Sequence, residues 1–152
     1  MSETPQSPMS VMLTSKDMQR SVAFYRDTLG LPVGLVLPIE TDEVIIAFLD
    51  IGESKIELVQ PTSSSTGVAR FLEKKGEGFH HVCFETPDVD AALGELAADG
   101  VEIIDKQARR GAEGPVAFLH PRACNGVLTE LIEAPGGPAW ARLGYEGDPL
   151  AG

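Results

Sequence analysis

Two hydrophobic periods alternate along the chain. Residues 9–15 (MSVMLTS) are apolar and β-prone, and Asp17 follows as a helix N-cap. Met18, Val22, Phe24, Tyr25 and Leu29 then recur at helical spacing until Gly30 supplies a stop. Strand-like runs come next at 32–39 (PVGLVLPI), 43–51 (EVIIAFLDI) and 54–60 (SKIELVQ), with Gly52-Glu53 as a tight turn before the last. This stretch reads βαβββ. Residues 61–67 (PTSSSTG) predict a linker, and 68–75 (VARFLEKK) a short helix closed by Gly76 and Gly78. The order then recurs. A strand at 79–86 (FHHVCFET) precedes the cap Asp88 and a helix carrying Val89, Ala92, Leu93 and Leu96 to Gly100. Strands are expected at 101–105, 115–120 and 126–133, and a Gly- and Pro-rich irregular tail from Gly136, with Trp140 as a packing or oligomer contact.

The register of the repeat is nearly constant. Asp17 to Asp88 spans 71 residues, Gly30 to Gly100 spans 70, and Glu57 to Glu130 spans 73. Near-equal offsets at helix cap, helix stop and last strand indicate an internal duplication. The expected class is α+β, with two βαβββ modules forming a partly open eight-stranded mixed barrel with a central cleft. A single domain over 1–152 is expected, with modules at 9–61 and 79–134, a linker at 62–78 and a tail at 135–152.

Strand alternation then selects candidate residues. His81 stands seven residues before Asp88, and Ser10 seven before Asp17; the last strands add Glu57 and Glu130. A carboxylate in an apolar strand (KIELVQ, LTELIE) is costly unless it meets a cation or hydrogen-bond donors. Two groups from each half make the four that a divalent metal site wants. His80 must point away from His81, His120 ends a strand at the surface, and Gln60 and Glu133 have the wrong parity for the cleft.

Charge narrows the partners. The net charge of −11 repels nucleic acid and anionic membranes, and there is no basic stripe. It also repels a polyanionic ligand unless local cations intervene; Lys106, Arg109, Arg110 and Arg122 are the candidate cluster, with Arg109 and Arg110 as substrate-binding residues. No apolar run approaches the roughly 18–20 residues of a membrane span. The polar N-terminus shows no signal peptide, and a cytoplasmic setting is expected. Cys83 and Cys124 form no CxxC signature, and Cys83 reads as a reduced core residue.

The segments AFYRDTLGL, KIELVQP, VARFLEKKGEGFHHVCFE and VAFLHPRACNGVLTELIE resemble the methylmalonyl-CoA epimerase family of the vicinal-oxygen-chelate superfamily, over residues from about 10 to 134. The resemblance implies a divalent metal (Co, Zn, Mn, Ni or Mg), a likeness to isomerases acting on an acyl-CoA, and a homodimer. It makes His81, Glu130 and Glu57 metal ligands, with Glu130 and Glu57 also as catalytic acid–base groups. Ser10 stands where that family has its first histidine, here counted with the substrate-binding residues. Glu113 stands where relatives read GAHG, and Ile46 falls near the position of a further carboxylate base. The implied chemistry is abstraction of the proton between a thioester carbonyl and a carboxylate. A lactoylglutathione lyase-like enzyme and a metal-free small-molecule-binding protein with a degenerate metal site are the alternatives. An iron dioxygenase is disfavoured by the missing histidine at Ser10.

Overall fold

A computed structural model describes residues 6–111 and 114–133. The expectations for the tail, for Trp140 and for Glu113 lie outside the described residues. Among the described residues the chain divides into two compact units: module 1 is Ser10 to His80, and module 2 is residues 81–133, with which residues 6–9 are grouped. Residues 62–78, expected as a linker, group with module 1, as do Phe79 and His80, which were expected to open the second module.

The element order is β1 (Gln6–Thr14), α1 (Met18–Ala23), β2 (Val33–Ile39), β3 (Val44–Ile51), β4 (Ser54–Pro61), α2 (Gly67–Lys75), β5 (Gly78–Glu85), α3 (Val89–Ala98), β6 (Arg109–Gly111), β7 (Gly114–Leu119) and β8 (Thr129–Ile132). The class is α+β with mixed strand directions. In module 1 the strands are ordered β2-β3-β4-β1, with β1 parallel to β4 and the other neighbours antiparallel. Module 2 repeats this as β6-β7-β8-β5, again with one parallel pair, β5 and β8.

The duplication extends to single hydrogen bonds. Asp17 accepts from the Arg20 amide (3.2 Å) and Asp88 from the Ala91 amide (3.0 Å), and both caps are extended, with φ of −147° and −150°. Gln60 Oε1 accepts from the Met18 amide at 2.7 Å, and Glu133 Oε1 from the Val89 amide at 2.9 Å. These two side chains leave their strands on the helix side, as their parity requires, and each satisfies an N–H that its helix cannot pair. Gly30 (φ +75°) and Gly100 (φ +81°) end the helices in the left-handed region, where a Cβ would be strained.

Each sheet buries one face under its helix. Met18 and Val22 of α1 pack on Ala47, Leu49 and Leu58; Val89, Ala92 and Leu93 of α3 pack on Ala117, Leu119 and Leu131. Alternation therefore commits Ser10, Met12, Phe48, Lys55, Glu57 and Val59 to the other face of module 1, and His81, Cys83, Val116, Phe118, Glu130 and Ile132 to the other face of module 2.

Two expectations are corrected. The first helix passes into a π-turn over Phe24–Thr28, which rotates the later residues off the helical register: Tyr25 packs on the core while Phe24 and Leu29 are about half exposed, at 49% and 54%. The strand expected at 101–105 is reduced to one bridge, Ile103 with Leu119. There the Asp105 carboxylate takes the Phe118 amide (2.8 Å) and Asp90 the Ala108 amide (2.7 Å), so side chains replace ladder partners. The paired strand is instead Arg109–Gly111.

Candidate active site

The acidic group with the clearest environment is Glu130. It lies between Cys83 on β5 and Phe118 on β7, its register partners on either side. His81, two residues before Cys83 on the same face, brings Nε2 to 3.9 Å from Glu130 Oε2. Both are well covered, with side chains 8% and 17% exposed. Burial pushes the Glu130 pKa above the usual carboxylate range, against a hydrogen bond from the Cys83 thiol and the charge of Arg109, which lower it. The His81 ring meets Phe118 edge-on, 5.5 Å between centroids, and the Arg109 guanidinium lies 5.3 Å from the Phe118 centroid. A desolvated carboxyl beside an imidazole and the Phe118 ring suits proton transfer, because its basicity exceeds that of a solvated carboxylate.

Module 1 carries the matching row. Glu57 sits between Met12 and Phe48 as Glu130 sits between Cys83 and Phe118. Ser10 shares its face, in the place that His81 takes relative to Glu130. Lys55, the register partner of Ser10, is also on this face and buried.

The cation cluster is dispersed. Arg122 binds the Glu102 carboxylate with Nε and Nη2, at 3.2 and 2.7 Å, on the surface, and His120 Nε2 lies 3.9 Å from the same carboxylate. Arg109 pairs with Val116 across β6 and β7 and so joins the Glu130 face, where it also meets Asp105 at 3.3 Å. Strand parity turns its neighbour Arg110 to the other face, opposite Pro115. Lys106 lines a concavity of about 830 Å³ beside α3, away from Glu130's face. His80 packs edge-on against Phe71 of α2 (4.6 Å), and burial lowers its pKa.

Sequence reasoning missed three participants. Cys83 is a buried core thiol, as expected, yet its Sγ also serves Glu130; its parity with His81 was the available signal. Phe118 was visible only as an apolar strand residue. Lys55 carried no signal, since a lysine in an alternating strand is usually solvated.

The donor set does not fit a tightly held divalent ion. Among the described residues no three of His, Cys, Asp and Glu gather as such an ion requires. Ser10 offers a hydroxyl where the duplicated register gives an imidazole in module 2, and a hydroxyl is a poor ligand for a borderline metal.

Comparison with known proteins identifies the family. The profile of the Glyoxalase/Bleomycin resistance protein/Dioxygenase superfamily matches residues 10–118. Mouse mitochondrial methylmalonyl-CoA epimerase is 39% identical over 126 residues, which cover 82% of this chain and 71% of that protein. The ethylmalonyl-CoA/methylmalonyl-CoA epimerase of Cereibacter sphaeroides is 37% identical over 124 residues, covering 80% and 92%. Among solved structures, a variant of Streptomyces coelicolor methylmalonyl-CoA epimerase in complex with 2-nitronate-propionyl-CoA superposes with a TM-score of 0.77 at 35% identity, over 89% of this chain and all of that one. A methylmalonyl-CoA epimerase in complex with methylmalonyl-CoA and NH4+ gives 0.75 at 36% identity, over 90% and 100%. The chain belongs to the glyoxalase/bleomycin resistance protein/dioxygenase superfamily, in its methylmalonyl-CoA epimerase family.

Proposed function

We propose that this protein is an acyl-CoA epimerase, inverting the α-carbon of a 2-carboxyacyl thioester such as methylmalonyl-CoA. The observation that carries the reading is Glu130: a carboxyl whose pKa burial raises, 3.9 Å from His81 Nε2 on the same face. Its carboxylate removes the α-proton, leaving an enolate. His81, whose Nε2 faces Glu130, donates to the charge that develops. Glu57 holds the equivalent register position in module 1, and the reading takes it as the second acid–base group. No step is routed through a metal, because Ser10 leaves the donor set short.

The family likeness supports the substrate class, since relatives at 37–39% identity carry epimerase names. The reading also takes the protein as a cytoplasmic homodimer. Neither Cys83 nor Cys124 is in a disulfide, which fits a reducing compartment. Light scattering should then give about twice the chain mass of 16.2 kDa. A second reading, a sequestering protein for a small acyl ligand, is favoured by Ser10 alone.

One experiment separates the two. Purified protein is incubated with methylmalonyl-CoA in D₂O and the α-proton signal is followed by NMR. The epimerase reading requires catalysed loss of that signal. Binding of the thioester without any exchange would overturn it and leave the sequestering protein.

A further inference from the structure

We propose that Cys83 is a positioning residue for Glu130: its thiol donates to the carboxylate and holds it at one angle above the sheet, so that the oxygen that takes the α-proton is already aimed. This rests on the epimerase reading above and adds to it a residue that acts through Glu130 rather than on the substrate.

A glutamate side chain turns about several bonds, and a carboxyl left to swing would present its oxygens at many angles. Strand pairing limits Glu130 from both sides. β8 lies between β5 and β7, and the row across module 2 runs Cys83, Glu130, Phe118. Neighbouring strands lie about 4.8 Å apart, so side chains level with one another on the same face are in reach. On the β7 side the Phe118 ring is a wall without a polar atom. It is braced in turn, edge-on to His81 at 5.5 Å and with the Arg109 guanidinium at 5.3 Å. On the β5 side the Cys83 thiol donates a hydrogen bond to the carboxylate. His81 Nε2 stands 3.9 Å from Oε2, beyond the length of a direct hydrogen bond. The thiol therefore supplies an angular restraint that the imidazole does not.

Sulfur suits the place. Cys83 is 5% exposed and forms one buried cluster with Val116 and Ile132. A hydroxyl there would be stranded whenever the carboxyl turned away, whereas a thiol is a small apolar group with a weak donor. A strong donor would hold the charge of the carboxylate as well as its angle. A thiol sets the angle and leaves most of the charge for the reaction.

Packing and positioning predict opposite outcomes for two variants of the same shape. Cys83→Val fills the cluster and removes the donor; Cys83→Thr keeps a donor and brings a polar group among apolar ones. Exchange and inversion of methylmalonyl-CoA in D₂O give kcat and KM, and thermal denaturation is measured alongside. C83V should melt within a few degrees of the wild type, since the swap conserves volume and apolarity. Its kcat should nonetheless fall about tenfold to hundredfold with KM within about twofold, the cost of a reacting group misplaced by about 1 Å. C83T should melt lower than C83V and turn over at least about threefold faster, the reverse of their order in stability. Near-UV circular dichroism checks folding, and Cys83→Ala and Cys83→Ser replace the pair in the same comparison if either does not fold. A C83V protein with wild-type kcat, a loss carried by KM, or a C83T protein no faster than C83V overturns the assignment and leaves the epimerase reading intact. A wild type that catalyses no exchange overturns both.

Discussion

Replacing Glu130 by Gln should make the protein more stable at neutral pH while it slows proton exchange. The wild-type carboxylate is 17% exposed. It is raised in pKa chiefly by burial, with Cys83 and Arg109 only partly offsetting that. A group whose folded pKa is raised contributes stability fully below its unfolded pKa and loses it as pH rises through the folded value. Ionising Glu130 in the folded protein is therefore a net cost that the isosteric amide removes. Substitutions that relieve such strained functional groups gain about 0.5–2 kcal/mol. In a chain of this size each kcal/mol moves Tm by about 2–4 °C, so E130Q should melt a few degrees higher at pH 8. The difference should shrink toward zero as pH falls to about the unperturbed carboxylate value of 4.3, where the wild-type side chain is also neutral. Thermal denaturation of both proteins across that pH range, with chelator present, reads this directly. A lower Tm for E130Q at neutral pH, or curves that run parallel at all pH values, refutes the claim that desolvation dominates at Glu130.

Other outcomes follow from the same geometry. Gln60→Ala and Glu133→Ala each expose a helix amide and should destabilise by about 0.5–2 kcal/mol in urea unfolding; Glu133→Ala should cost more, because its negative charge also complements the positive N-terminal end of the helix dipole. Ser10→His should tighten cobalt binding at least about tenfold in a spectroscopic titration; an unchanged affinity would show that position 10 is not what leaves the donor set short.

Much of the fold was legible because its signals were repeated. Asp17 and Asp88, Gly30 and Gly100, and Glu57 and Glu130 mark the same points in two modules, and an offset that holds from cap to last strand is hard to produce otherwise. The pairing of Gln60 and Glu133 with the helix amides follows from parity alone. The misplaced strand had a physical cause: Ile103 and Ile104 look like strand residues, but Asp90 and Asp105 capture the Ala108 and Phe118 amides that a ladder would use. The π-turn has no compositional mark, so Phe24 and Leu29 read as core when they are half exposed. At the site, Glu130, His81, Glu57 and Ser10 could be named from register. The cover over Lys55 and the hydrogen bond from Cys83 could not, because both depend on which side chains meet once the strands have paired. Arg109 and Arg110 were indistinguishable until β6 formed and sent them to opposite faces.

The proposed acid–base roles of Glu130 and Glu57 are tested most directly by following each enantiomer of methylmalonyl-CoA separately in D₂O with the E130Q variant. The account predicts that one enantiomer stops exchanging, slowed by about 10²-fold or more. The other still exchanges its α-proton through Glu57 without inverting. Equal rates from the two enantiomers, both retained or both lost, would contradict it.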